Sequence, residues 1–242
     1  MELIVVFAVT MISASLQATI GFGFSILVML LLPNLMPYPE AVTLNIAIAL
    51  MNTSYLTVKN RKHIVWKTLL PLLLPSLIIG IFFTFYSSGI DAQYMDIILG
   101  SLLIGLSLYF ISFSDRIKVE PKPSRGILMG SIAGIGNGFF GIGGPPAALY
   151  LMPAVEDKRE YLATIQCYFA LCNLVNLITR AFMGYFKAEL ISFTLSGWAG
   201  ALIGSVLGGM LFKRINLKVL RKAVYFFVGI NGFYLILSTI LK

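Results

Sequence analysis

The chain has 242 residues, 58% of them hydrophobic and 12% charged, with a mean hydropathy of +0.91. A soluble domain carries about 25% charged residues, so the composition excludes an ordinary water-soluble fold and points to an integral membrane protein. The formal charge of +8, from 18 Lys+Arg against 10 Asp+Glu, fits the basic bias of cytoplasmic loops. It also suits attraction of small anions, and it implies no nucleic-acid partner.

Apolar stretches of roughly 20 residues mark membrane spans. Eight segments are predicted, at about 3–33, 39–58, 65–87, 93–114, 126–153, 160–180, 188–212 and 218–241. Glu2 opens the first, and neither a basic region nor a small-residue cleavage site marks it as a secretory leader. The second connection, Lys59–Lys67, is short and basic. The fourth, Ser114–Arg125, is the longest and carries two prolines. It reads as a linker, which divides the chain into a first repeat (1–114), a basic linker (115–125) and a second repeat (126–242). The expected fold is an all-α polytopic membrane protein of about eight segments in two four-segment halves.

The halves match in their polar and glycine positions. Setting Pro33 on Pro153, an offset of 153 − 33 = 120, places Gly21 on Gly141, Gly23 on Gly143 and Gln17 on Asn137. An offset of 121 places Leu44–Asn52 on Ile165–Asn173, and one of 124 places Gly80 on Gly204 and Gly105 on Gly229. Loop charge indicates how the halves are related. The third connection has Asp91 and Asp96 near it and no Lys or Arg, whereas its counterpart, the seventh, has Lys213, Arg214, Lys218, Arg221 and Lys222. Opposite bias on equivalent loops predicts opposite sides of the membrane, hence an inverted repeat. Inversion needs an odd number of crossings per half. Three spans plus one re-entrant hairpin supply it, because the first and fifth segments are too short for two crossings of about 20 residues each. Eight plain spans with parallel repeats is the alternative.

Both hairpin segments carry a glycine break, Gln17-Ala-Thr-Ile-Gly-Phe-Gly-Phe-Ser25 and Asn137-Gly-Phe-Phe-Gly-Ile-Gly-Gly-Pro145. Gly costs a helix interior about 1 kcal/mol and Pro about 3, so the helices are expected to stop and restart there. Restarting helices present free N–H groups and a positive dipole end, a setting for small anions. Close packing of small residues is the competing explanation. The candidate binding residues are Gln17, Gly21, Gly23, Asn52, Asn137, Gly141, Gly143, Gly144, Pro145 and Asn173. In the next helix of each half a polar stripe repeats: Gln166, Asn173, Asn176 and Arg180 in one, Asn45, Asn52, Tyr55 and Lys59 in the other. Spacings of +7, +3 and +4 put each set on one helix face, so Asn45, Gln166, Asn176, Lys59 and Arg180 are candidate pathway residues. Lys59 and Arg180 sit at predicted span ends, where they snorkel to the interface or draw anions into a vestibule. Phe22, Phe139 and Phe140 flank the breaks and are candidate gates.

Catalysis has little to stand on. The single histidine, His63, lies in a basic loop, and no paired carboxylates occupy the middle of a segment. Cys167 and Cys172 lack zinc spacing and read as packing residues. Asp96 is the one acidic candidate for proton coupling. No cofactor or metal is predicted.

The motifs Gly21-Phe-Gly-Phe-Ser25 and Gly138-Phe-Phe-Gly-Ile-Gly-Gly-Pro145, with the eight segments and the chain length, resemble the sulfite exporter TauE/SafE family of membrane permeases, also called toluene-sulfonate uptake permeases. The resemblance covers nearly the whole chain. It implies a multi-pass permease of the cell membrane that moves sulfite, a sulfonate or a related small anion by alternating access at the paired breaks. A carboxylate permease and a non-transporting sensor or assembly component are the alternatives. Direction, coupling ion and oligomeric state are not readable from these residues.

Overall fold

The first apolar segment forms two helices rather than one, and so does the fifth. In the computed structural model, which describes residues 1–112, 122–211 and 217–240, α1 (Glu2–Ile20) stops at Gly21 and α2 (Phe24–Met29) begins after Gly23. Further along the chain, α6 (Pro123–Phe140) stops at Gly141 and α7 (Gly144–Ala154) begins after Gly143. Gly21 and Gly141 have φ of 95° and 69°. This left-handed conformation ends a helix without a Cβ penalty. Gly141 N–H bonds the Asn137 carbonyl at 2.9 Å and Ile142 N–H the Gly136 carbonyl at 3.0 Å, closing the end of α6. Each short helix then doubles back. Leu27, Leu30 and Leu31 share a cleft with Val9, Ile12 and Ser13, and the Tyr150 ring lies against Gly126.

The remaining helices are α3 (Tyr38–Asn60), α4 (Trp66–Ser87), α5 (Ala92–Ser112), α8 (Lys158–Phe182), α9 (Leu190–Leu211) and α10 (Leu217–Ile240). Pro39 and Pro123 stand in the first turns of α3 and α6, where a missing N–H costs nothing. Asp157 caps α8 by accepting from the N–H groups of Arg159 and Glu160, both at 2.9 Å.

Contacts along the helices set their directions. Along α1, Leu3 meets Ser196, Phe7 meets Gly200, Met11 meets Gly204 and Ser15 meets Gly208, so α1 and α9 run parallel. Pro71 meets Gly126, Pro75 meets Gly130 and Phe83 meets Gly138, so α4 and α6 run parallel too. Ser76–Tyr168 and Thr84–Asn176 make α4 parallel to α8. Ile48–Gly197 and Asn52–Ser205 make α3 parallel to α9. The pair α3 and α8 runs antiparallel: Lys187, just past α8, pairs with Glu40 in the first turn of α3, and Val65, just past α3, bonds Thr164 near the start of α8. The pair α5 and α10 is antiparallel as well, with Gly100 on Ile236 and Ser107 on Gly229. The Glu40 carboxylate raises the Lys187 ammonium above its ordinary pKa, through a hydrogen bond and its charge.

Glycines spaced four apart make the two tightest seams possible. They are Gly126, Gly130, Gly134 and Gly138 on α6, facing α4, and Gly200, Gly204 and Gly208 on α9, facing α1. A Cβ at Gly130 would run into the Leu72 carbonyl, and one at Gly204 into the Met11 carbonyl. Apolar helices in lipid associate through such close backbone approach. Gly138, which the sequence grouped with the break, therefore belongs to a packing seam.

Among the described residues five helices are long and apolar enough to cross a membrane: Tyr38–His63, Trp66–Ser87, Ala92–Tyr109, Lys158–Phe182 and Leu190–Gly208. Glu2–Ala18, Phe24–Asn34 and Phe226–Ile240 are apolar and shorter. Eight apolar segments therefore do not appear as eight spanning helices. Most of the predicted 115–125 linker lies outside the described residues, and its last residues already belong to α6. Lys213 and Arg214 of the seventh connection also lie outside them.

Gly130→Ala is expected to lower stability by about 1–3 kcal/mol, because the new methyl meets backbone that cannot move aside. Gly105→Ala, on an exposed stretch of α5 with nothing within 4 Å of the new Cβ, is expected to be neutral or to stabilise by up to about 1 kcal/mol. Thermal unfolding of the purified variants in detergent reads both.

Candidate functional site

Each break leaves backbone carbonyls inside an apolar bundle, and at each break a side chain from the opposite half reaches one of them. Asn45 on α3 donates its amide to the Phe140 carbonyl at 3.2 Å. Gln166 on α8 donates to the Gly21 carbonyl at 3.3 Å. These two residues correspond at the sequence offset, 166 − 45 = 121, so the latch is reciprocal. Both are buried, and the amide oxygens Asn45 Oδ1 and Gln166 Oε1 have no partner. The polar stripes thus serve the breaks first; Asn45 and Gln166 do not line the cavity.

Two further chains of hydrogen bonds brace the breaks. Asn52 donates to Gln17 Oε1 at 3.2 Å and accepts from Ser205 on α9 at 2.9 Å. Asn176 donates to the Asn137 carbonyl at 2.7 Å and accepts from Thr84 on α4 at 2.9 Å. Sequence alignment set Asn173 opposite Asn52, yet it is Asn176 that takes the bracing role in the second half. That frees Asn173.

Both breaks open on one cavity of about 350 Å³, counting its mouth. Of the predicted binding residues, Gln17, Gly23, Gly141, Gly144, Pro145 and Asn173 line it; Gly21, Asn52, Asn137 and Gly143 stand behind it. The halves touch here, since a Cβ on Gly144 would lie 3.1 Å from that of Phe22. Asn173 and Ser25 present polar groups that no protein atom takes among the described residues. Gln17 uses its carbonyl on Asn52 and keeps its NH₂ for the cavity it lines. Sequence reasoning missed Thr53, Phe169, Ile26 and Ile142 as lining residues. The 120 offset pairs Thr53 with Asn173 (173 − 120 = 53) and could have found the first. The Thr53 hydroxyl turns back onto the Ala49 carbonyl at 2.8 Å.

Two opposed helix N-termini were expected to form an anion cradle. The structure weakens that expectation on both sides. With six residues, α2 sums few peptide dipoles. The first turn of α7 contains Pro145 and Pro146, which have no N–H to offer. The donors facing the cavity are therefore largely side-chain amides and a hydroxyl.

Arg180 does not snorkel to the interface. It is 1% exposed and donates Nη2 to the Gly138 carbonyl at 2.9 Å, capping the end of α6. Lys59, its counterpart, is exposed and sits 5.6 Å from the Tyr55 ring centroid. Phe139 and Phe140 are buried in an aromatic cluster with Tyr38, Phe83 and Tyr86. Among the described residues no group of three His, Cys, Asp or Glu could hold a metal ion.

The sequence pattern of the family described as "Sulfite exporter TauE/SafE" matches residues 6–235, and the chain belongs to that family of membrane transporters. It is also similar to a probable sulfite/organosulfonate exporter TauE of Cupriavidus necator, at 22% identity over 182 residues covering 71% of this chain and 69% of the relative. No solved structure matches the chain.

Asn45→Ala and Gln166→Ala are each expected to cost about 1–3 kcal/mol of stability, because each leaves a buried carbonyl unpaired. Asn173→Ala, which removes no protein hydrogen bond, is expected to stay within about 0.5 kcal/mol. Equal losses at all three positions in thermal unfolding would contradict this division of roles.

Proposed function

We propose that this member of the TauE/SafE family is a secondary permease of the cell membrane. It moves a small sulfur oxyanion or organosulfonate by alternating access around the paired breaks. One observation carries the reading: Gly23, Gly141, Gly144 and Asn173, from both halves, meet at a single cavity inside the bundle. Irregular backbone at membrane depth is tolerated where it lines such a cavity. Backbone breaks there are the usual place for a transporter's substrate. Sulfite and sulfonates carry several acceptor oxygens, which suit the unpaired amide of Asn173, the NH₂ of Gln17 and the Ser25 hydroxyl. Apolar Phe24, Ile26 and Phe169 on the same walls suit the hydrocarbon part of an organosulfonate.

Helix directions support an inverted repeat. With α3 taken as upward, the observed pairings make α9 and α1 upward and α8, α4 and α6 downward; α5 starts beside the first turn of α3 and the end of α4, so it runs upward and its antiparallel partner α10 downward. Every element then opposes its counterpart: α1 against α6, α3 against α8, α4 against α9, α5 against α10. In this topology α3–α5 and α8–α10 cross the membrane, and the α1–α2 and α6–α7 hairpins enter and leave on one side each. The two-fold exchange, with α1 on α9 and α6 on α4, gives each hairpin a partner helix from the other half. Access can then alternate as the two hairpin assemblies change places about the shared cavity.

Reconstituted protein is expected to catalyse flux of sulfite or an alkylsulfonate into liposomes. Asn173→Leu is expected to reduce that flux about tenfold or more while the protein stays folded, the loss of one hydrogen bond to a charged group. Absence of flux for any sulfur oxyanion, sulfonate or carboxylate would sink the permease reading. Single cysteines at Lys62 and Lys218, in a background lacking Cys167 and Cys172, are expected to react from the same side of the membrane. Labelling from opposite sides would favour parallel repeats.

A further inference from the structure

A second cleft holds Arg180, the one buried cation among the described residues, which the transport reading does not use. It lies between the first turn of α3, the α4–α5 connection and the end of α8, and shares no lining residue with the central cavity. Tyr38, Ser87, Ser88, Phe139, Arg180 and Tyr185 are among its walls, and it encloses about 340 Å³ including its mouth.

A guanidinium has five N–H donors. Nη2 of Arg180 serves the Gly138 carbonyl at 2.9 Å and the Phe139 carbonyl at 3.5 Å. Nε has no acceptor, although the residue is 1% exposed. Tyr185 and Tyr38 act on Arg180 electrostatically, and among the described residues no ion pair to it is seen. Tyr38 is 6% exposed, and its hydroxyl has no hydrogen-bond partner either. Helix capping explains Nη2 and leaves the rest unexplained. Burying an unpaired charge and an unpaired hydroxyl on the same cleft is costly, and one ligand can relieve both costs. The planar fork of a guanidinium fits two oxygens of one oxyanion, and the unpartnered Tyr38 hydroxyl can donate to another; the Ser87 and Ser88 hydroxyls already donate to the Thr84 and Phe85 carbonyls.

We propose that this cleft is a second oxyanion site, built on Arg180 and Tyr38 and separate from the central cavity. Its ligand is either the free anion, waiting at the mouth of the pathway, or the phosphate of a lipid headgroup. Asp96, just past the first turn of α5, acts on Tyr38 electrostatically. Phe139 lines this cleft, Ile142 lines the central cavity, and Phe140 is buried against Tyr38 with ring centroids 5.8 Å apart. The aromatic pair therefore separates the two sites along the chain.

The test uses full-length protein in a neutral detergent, with radiolabelled sulfate as the probe. Sulfate is expected to bind, and Tyr38→Phe and Arg180→Lys are each expected to weaken that binding about tenfold or more. Tyr38→Phe keeps the ring packed on Phe140, so it remains informative if Arg180 variants do not fold. Asn173→Leu is expected to leave the cleft's sulfate binding intact, which separates this proposal from the fate of the central cavity. Repeating the titration in nanodiscs with and without phosphatidylglycerol identifies the source. Competition by the anionic lipid, lost in Tyr38→Phe, assigns the cleft to a headgroup phosphate; no competition assigns it to the free anion. If sulfate and lipid binding are both absent, or both survive Tyr38→Phe and Arg180→Lys, the cleft is not an oxyanion site.

Discussion

An unpaired backbone carbonyl cannot be left in an apolar interior. That constraint organises this molecule. Each glycine break frees carbonyls that a continuous helix would have used. Asn45 takes the one at Phe140, Gln166 the one at Gly21 and Arg180 the one at Gly138, while Asn176 adds a second donor to the Asn137 carbonyl that Gly141 N–H already pairs. In the first two cases the donor belongs to the opposite half. The breaks can therefore exist only when the halves are assembled, and the halves are held in register by the groups the breaks expose.

Tight helix seams make that assembly possible. Gly126, Gly130, Gly134 and Gly138 let α6 approach α4 at backbone distance, and Gly200, Gly204 and Gly208 do the same for α9 on α1. In lipid such packing replaces the hydrophobic effect as the main attraction between helices. It leaves the cavity between the hairpins and not within one of them. The two halves share this plan without being equal. The second half places a buried cation at its break, whereas the equivalent Lys59 stays in contact with solvent. Pro145 and Pro146 strip N–H groups from α7 where Ser25 adds a hydroxyl in α2. Chemistry at the cavity consequently falls to side chains: Gln17 and Ser25 from one half, Asn173 from the other.

Much of this is legible in the residues. Composition alone requires a membrane fold, and the 120 and 121 offsets pair Gly21 with Gly141 and Asn45 with Gln166. Glycine and proline at the breaks are local signals, since they act through the conformation of their own residues. The hydrogen-bond roles are not local. Asn52, Asn173 and Asn176 look alike on a helical wheel, yet Asn52 holds the Gln17 side chain, Asn176 braces the Asn137 carbonyl and Asn173 faces the cavity. Arg180 sits where a snorkelling residue would sit, and only the position of α6 beside it turns the guanidinium inward.

By itself, then, the sequence determined the lipid environment, the family and the positions where helices must stop, because each depends on residue chemistry or on matching residue patterns. Only the tertiary structure decided which glycines are seams and which are breaks, which amides are braces and which are free, and that the buried Arg180 opens on a cleft of its own. Those distinctions depend on which helix faces which, and that is set by backbone approach between segments more than a hundred residues apart.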